Sequence, residues 1–121
     1  MNQQDLVWVS VPFSDFSDAK IRPALIVSND TYGTHSEDVL ICAVTSSVAE
    51  VPYSLPLKQT DLVSGTLAVP SRIKADKLLS VSKKLVLRPF ARISDPKFDE
   101  VVKQIVQLVS RNDALRKEKK Q

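Results

Sequence analysis

The hydrophobic spacing of this chain changes period once, near residue 95, and that change constrains the fold more than any other feature. After it, Phe98, Val101, Val102, Ile105, Leu108 and Val109 recur at the spacing of one helical stripe. Asp95 suits a helix N-cap and Pro96 the first helical position. Before it, apolar residues alternate or run in short blocks, punctuated by Pro, Gly, Asn and Asp, as strands do. Short strands followed by one amphipathic helix predict a small, mostly antiparallel β-barrel or strongly curved sheet, closed by the helix. The expected domain spans residues 1–110, with the helix over about 95–110 and a charged tail at 111–121.

Within the β region, residues 6–11 read as a strand with Val7, Val9 and Val11 on one face and Leu6, Trp8 and Ser10 on the other. A polar loop at residues 14–20 follows Pro12 and Phe13. Residues 22–28 form the expected second strand, with Pro23 at its start, where a missing N–H is tolerated. A turn-rich loop is expected at 29–38. Residues 39–45 are nearly all apolar, which suits a strand buried on both faces. Pro52 and Pro56 place a short strand, 53–57, at a sheet edge. Gly65 is expected to open a further extended region over 66–73, with shorter strands at 77–81 and 85–87.

Charge is unevenly spread. The formal net charge is +3, and residues 111–121 alone, with five basic and two acidic groups, account for it. Residues 72–92 carry Arg72, Lys74, Lys77, Lys83, Lys84, Arg88 and Arg92 against Asp76 alone. Such a stretch is either a solvated face or a patch for a polyanion, and placement beside Arg22 decides between them. No apolar run is long enough to span a bilayer, and the N-terminus has no signal-peptide pattern, so a cytoplasmic protein is expected. The single cysteine, Cys42, lies in an apolar strand pattern and is expected to be a small buried hydrophobe.

Several chemistries are excluded. Two distant glycines, Gly33 and Gly65, make no phosphate-cradling loop. One histidine, His35, rules out a paired-histidine ribonuclease, and no Cys/His set suits zinc. No metal or cofactor is expected. Asp15 and Asp18 read as a solvated turn. What remains is Arg22, held extended by Pro23, together with Thr45 and the hydroxyls of Ser17, Ser46 and Ser47. Arginine offers a permanently charged planar fork for phosphate. A threonine hydroxyl donates to a phosphate oxygen or relays a proton.

In this order the elements resemble the MazF/PemK toxins of type II toxin–antitoxin systems. The matching elements are Asp5-Leu-Val-Trp-Val before Pro-Phe; Lys20-x-Arg-Pro-Ala-Leu-Ile-Val-Ser; Val39-Leu-Ile-Cys-Ala-Val-Thr-Ser; and Ser71-Arg-Ile-Lys-Ala-Asp-Lys-Leu. The resemblance implies an SH3-like β-barrel with a terminal helix, usually a homodimer. It also implies cofactor-free, metal-independent endoribonuclease action on single-stranded RNA such as mRNA, and a cognate antitoxin that covers the RNA groove. Arg22 and Thr45 would be the catalytic pair, with Lys20, Ser46 and Arg72 as substrate contacts; Phe13, Phe16 and Tyr53 are candidate base-stacking rings. Asp18 and His35 have the chemistry of a general base, and neither is preferred. The family usually begins its first strand with Gly-Asp, where this chain has Gln4-Asp5, and its loop corresponding to 14–20 usually contains glycine. Two other readings stand beside this one. One is a same-fold protein that poisons a protein target such as DNA gyrase; the other is a silent relative acting only by binding.

Overall fold

The computed structural model describes residues 1–11 and 20–112. Expectations for the loop at 14–20, apart from its last residue Lys20, for Phe13, Asp15, Phe16, Ser17 and Asp18, and for the tail beyond residue 112 lie outside the described residues. The described residues form seven strands: β1 (Asp5–Val11), β2 (Lys20–Ile26), β3 (Asp38–Thr45), β4 (Ser54–Leu57), β5 (Leu62–Gly65), β6 (Ser71–Ser82) and β7 (Val86–Ile93). Helices α1 (Asp30–His35) and α2 (Asp95–Val109) and two short 3₁₀ turns, Gln59–Asp61 and Lys83–Leu85, complete the described elements. The strands form one curled, barrel-like sheet in the order β4-β6-β3-β2-β1-β7-β5. Every pairing is antiparallel. The expected mainly-β fold with a C-terminal helix is the one observed.

Because strand side chains alternate between faces, apolar runs in β1 to β3 fill two cores. Leu6, Leu25, Cys42, Val44, Ile73 and Ile93 pack on one face, where Phe98 and Val101 of α2 cover them. Val7, Val9, Ala24, Ile26, Val39 and Ile41 pack on the other. Each large aliphatic side chain buried this way contributes about 1.5–3 kcal/mol, so the two-sided burial of β1, β2 and β3 makes them the rigid centre. Cys42 is fully buried, as expected, and its thiol is pushed up to about 12 by burial and, secondarily, by the Asp76 carboxylate.

Several boundaries differ from expectation. The loop at 29–38 contains α1, whose first turn is capped by the Asn29 side chain accepting from the Tyr32 N–H. The cap of α2 is Ser94, one residue before Asp95; its side chain accepts from the Lys97 N–H. Gly65 ends β5 instead of opening a strand, and residues 66–70 belong to no strand. A Cβ on Gly65 would stand 2.3 Å from the Phe90 carbonyl oxygen at a φ of +83°, so only glycine lets β5 approach β7 there. The expected strand at 77–81 is the far end of the 12-residue β6. The helical stripe is buried only at its start. Val102, Leu108 and Val109 are exposed, because the 15-residue helix is about 22 Å long and outruns its contact with the sheet.

Gln4 occupies the position where the resembling family usually has glycine, and its φ is +78°. A left-handed conformation costs a side-chain-bearing residue on the order of 1–2 kcal/mol. Here it is offset by bonds joining three elements. The Gln4 N–H donates to the Ile26 carbonyl at 2.9 Å, and its own carbonyl accepts from the Ile93 N–H at 3.1 Å. Its side-chain amide donates to the Ile93 carbonyl at 3.0 Å and to Asp95 Oδ1 at 2.9 Å.

Candidate active site

Arg22 is set by its strand pairing. Val9 stands opposite Arg22, and Trp8 opposite Pro23, across β1 and β2. Pro23 therefore lies inside β2, not at its start, because Lys20, Ile21 and Arg22 still pair with β1. On the other side, β2 meets β3 from Ala24 opposite Ala43 to Ile26 opposite Ile41. Proline has no N–H to give to a ladder, and this pairing does not reach beyond Ala24. Continuing its register by two residues sets Arg22 across from Thr45. Thr45 is in turn opposite Arg72 of β6. Directly opposed residues share a face, so Arg22, Thr45 and Arg72 form one row.

A cavity of about 590 Å³ opens where β2 and β3 part, and both Arg22 and Thr45 line it. Ser46 also lines it, while Trp8, Phe90 and Leu67 contribute apolar wall. Trp8 and Phe90 stack with ring centroids 4.7 Å apart and planes 29° from parallel. Thr45 Oγ1 accepts from the Ser47 N–H at 3.1 Å, which leaves its O–H hydrogen to donate elsewhere. Arg22 is exposed.

The other sequence candidates fall at varied distances from this focus. Arg72 belongs to the row but does not line the cavity; its Nε donates to Ser54 Oγ at 2.8 Å and its terminal nitrogen to the Ser54 carbonyl at 2.9 Å. Lys20 is exposed at the start of β2, opposite Val11. His35 closes α1, with Nδ1 2.9 Å from the Thr31 carbonyl, and does not line the cavity. Tyr53 precedes β4 at a φ of +59°, exposed and outside the cavity.

The basic stretch at 72–92 is not one patch. Arg72, Lys74 and Lys77 lie on β6 while Arg88 and Arg92 lie on β7, with β3, β2 and β1 between them in the sheet. Lys83 is bonded to the Gly33 carbonyl, and Arg92 is paired with Asp5 at 3.2 Å. Among the described residues, no group of three or more His, Cys, Asp or Glu side chains is placed to hold a metal. No described helix is long and apolar enough to cross a membrane. Sequence reasoning missed Trp8 and Phe90 as cavity residues. The available signal was a large aromatic in a strand whose neighbours are valines.

Comparisons with known proteins follow the same outline. A family model described as "PemK-like, MazF-like toxin of type II toxin-antitoxin system" matches residues 2–109. No curated protein sequence matches the chain. Among solved structures, the chain is similar to a MazE–MazF complex from Deinococcus radiodurans, with 21% identity and a TM-score of 0.75, covering 90% of this chain and 95% of that one. It is also similar to an endoribonuclease in complex with its cognate antitoxin from a mycobacterial species, with 14% identity and a TM-score of 0.72, covering 88% and 92%. A third likeness is to the Mycobacterium tuberculosis toxin MazF-mt6, with 17% identity and a TM-score of 0.65, covering 84% and 93%. At these identities the structural likeness speaks for the fold.

Proposed function

The chain belongs to the PemK-like, MazF-like toxin family of type II toxin–antitoxin systems, a family of endoribonucleases, and on that premise we propose that it cuts single-stranded RNA without a metal ion, using Arg22 and Thr45. The observation that carries this reading is the meeting of those two residues, 23 positions apart in the chain, at the mouth of one cavity.

In the proposed reaction the ribose 2′-oxygen attacks the adjacent phosphorus. The new 2′-O–P bond forms, the P–O5′ bond breaks, the 2′ proton leaves and the 5′-oxygen gains a proton. The products are a 2′,3′-cyclic phosphate and a 5′-hydroxyl. Charge builds on the non-bridging oxygens of the five-coordinate phosphorus, where a fixed cationic donor lowers the barrier. Arg22 fits that role. It serves as a donor and not as a base, because a guanidinium carries N–H donors and no acceptor. Thr45 donates its hydroxyl hydrogen to the same phosphate, oriented by the bond from Ser47. Ser46 extends the hydroxyl-lined rim, while Lys20 and Arg72 serve the chain of phosphates on either side. Unpaired bases suit such a site, since they can splay away from the backbone.

The same reading assigns the partners. The apolar residues that α2 leaves exposed, Val102, Val106 and Val109, are the surface proposed for self-association into a homodimer. A cognate antitoxin is proposed to cover the groove over Arg22, and the cytoplasm is the proposed compartment.

The test is incubation of purified protein with long single-stranded RNA in chelator, beside Arg22→Ala and Thr45→Ala. Cleavage that yields cyclic phosphate ends and is lost in both variants is the expected result. Intact RNA with the folded, unmodified protein would overturn the proposal. Activity should also fall steeply with added salt, because phosphate contacts release counterions.

A further inference from the structure

The segment that carries Ser46 and Ser47 is not held by packing. Residues 46–53 join β3 to β4, belong to no strand and are all exposed. A segment without buried apolar contacts opens readily unless hydrogen bonds tie its ends. The outgoing end is tied at Thr45, whose Oγ1 accepts from the Ser47 N–H at 3.1 Å. The return end is tied to β6. There the Tyr53 carbonyl accepts from the Ala75 N–H at 2.9 Å, and Arg72 grips Ser54.

Strand register sets Arg72 between the two legs of this segment. Thr45 stands opposite it on β3, and Pro56 stands opposite it on β4. Ser54 lies two residues along from Pro56, on the same face and within diagonal reach of a long side chain. Arg72 Nε donates to Ser54 Oγ at 2.8 Å, and Nη2 donates to the Ser54 carbonyl at 2.9 Å. Ser54 Oγ in turn donates to the Val51 carbonyl at 2.7 Å. A relay thus runs from the guanidinium through one hydroxyl to the backbone of the segment. Tyr53, inside this bracket, has a φ of +59°. A residue with a side chain persists in that region only where its surroundings over-determine the backbone. The grip on Ser54 uses two of the five N–H donors of a guanidinium, so the charge and three donors remain for phosphate. A lysine would keep that charge and lose the planar fork.

Resting on the nuclease reading, we propose that Arg72 is a positioning residue: through Ser54 it straps the return leg of residues 46–53, and so holds Ser46 and the Thr45 hydroxyl in register with the phosphate. With the strap gone, the segment is tied at its outgoing end only by the bond that orients Thr45 Oγ1. Movement of the segment then carries the Ser47 N–H away from Thr45. The effect falls on the chemical step, since a misplacement of about 1 Å costs up to about 100-fold in rate.

Ser54→Ala separates the strap from the charge, because it breaks the relay and leaves Arg72 in place. Steady-state cleavage of a long single-stranded RNA in chelator is measured per folded molecule, with the folded fraction taken from denaturant unfolding. Ser54→Ala should lower kcat by roughly 10- to 100-fold, with KM and its salt dependence unchanged. Ser54→Thr keeps the hydroxyl and should restore the rate. Arg72→Lys should match Ser54→Ala, and the two together should fall no further than either alone, as one linked unit requires. Arg72→Ala should add a loss in the salt slope of about 0.7, the value of one phosphate on a single strand. Parental kcat in Ser54→Ala would overturn the strap. So would losses in Ser54→Ala and Arg72→Lys that multiply in the double variant, since the residues would then act separately. An equal loss in Ser54→Thr and Ser54→Ala would place the effect in packing at that position and overturn it as well. Cleavage by the unmodified protein with any of these three results removes the strap and keeps the nuclease. Absence of any cleavage removes both.

Discussion

The two ends of the β1–β2–β3 centre are built in opposite ways. At one end the chain is laced together. Gln4 joins β2, β7 and the start of α2, and Arg92 reaches both the Gln3 carbonyl at 2.9 Å and Asp5 at 3.2 Å. At the other end, beyond Ala24 and Ala43, pairing of β2 with β3 gives way to the cavity, and Arg22 stands exposed at its mouth. The difference teaches where rigidity is spent. One end accepts a strained Gln4 to tie β2, β7 and α2 together, so the other can stay open without loosening the strands that carry Arg22 and Thr45.

If this division of labour is right, substitutions at the open end change activity and leave stability alone. Arg22→Ala is expected to have the largest effect, lowering cleavage by about 10²–10³-fold or more, the worth of one donor to a developing oxyanion. Its thermal midpoint should stay within about 2 °C of the parent, because exposed substitutions usually cost under about 0.5 kcal/mol. A large fall in midpoint for Arg22→Ala would break the comparison. Thr45→Ala should lower cleavage less, since a neutral donor is lost. Gly65→Ala tests the ground between the two ends. Its Cβ would collide with the Phe90 carbonyl, costing about 2–4 kcal/mol from strain and overpacking. It should lower activity as well, because Phe90 and residues 66–69 wall the cavity. Denaturant unfolding read beside cleavage rate separates these cases.

The closed end makes the converse prediction, with a smaller effect. Gln4→Ala keeps the left-handed backbone and loses both side-chain bonds, so it should destabilise by about 1–2 kcal/mol. Gln4→Gly adopts this φ freely and should recover about 1 kcal/mol of that loss. Cleavage per folded molecule should be unchanged in both. If either variant altered the cleavage rate of fully folded protein, the two ends would be coupled, and the comparison would need redrawing.

Sequence period and residue order made the strands and the terminal helix legible, because each rests on local chemistry, whereas the pairing of Arg22 with Thr45 was implied by the resemblance to the toxin family. The block at 39–45 could only be a strand buried twice, and Pro23 beside Arg22 marked an extended arginine. What stayed illegible depends on contacts across the sheet. Basic residues at 72–92 are neighbours in the chain, yet pairing sends them to β6 and β7 on opposite sides of β1 to β3. Gly65 looked like a strand opener, whereas its meaning lies in a 2.3 Å approach to a carbonyl of β7. Arg72 is a bare cation in the sequence, whereas its bonds to Ser54 on β4 appear only once the strands are paired. The cavity wall was hidden for the same reason, since Trp8 and Phe90 are 82 residues apart.

Cys42 gives the smallest effect at neutral pH and tests whether the centre shared by both ends is as rigid as the comparison requires. Its thiol is fully buried in β3, and burial together with Asp76 raises its pKa from 9.0 to about 12. At pH 7 the thiol is protonated in both folded and unfolded chains, so it adds no pH dependence there. Between about pH 9 and 12 the unfolded chain has lost this proton and the folded chain has kept it. The unfolded state then binds fewer protons, so stability falls as pH rises. Cys42→Ala should cost stability at neutral pH through the small cavity it leaves, and should flatten part of the alkaline loss. The same burial predicts that the native thiol resists alkylation at neutral pH and reacts only as the domain unfolds. Rapid labelling of Cys42 in folded protein would mean that β3 opens locally, and the open site beside Thr45 would then rest on a mobile strand.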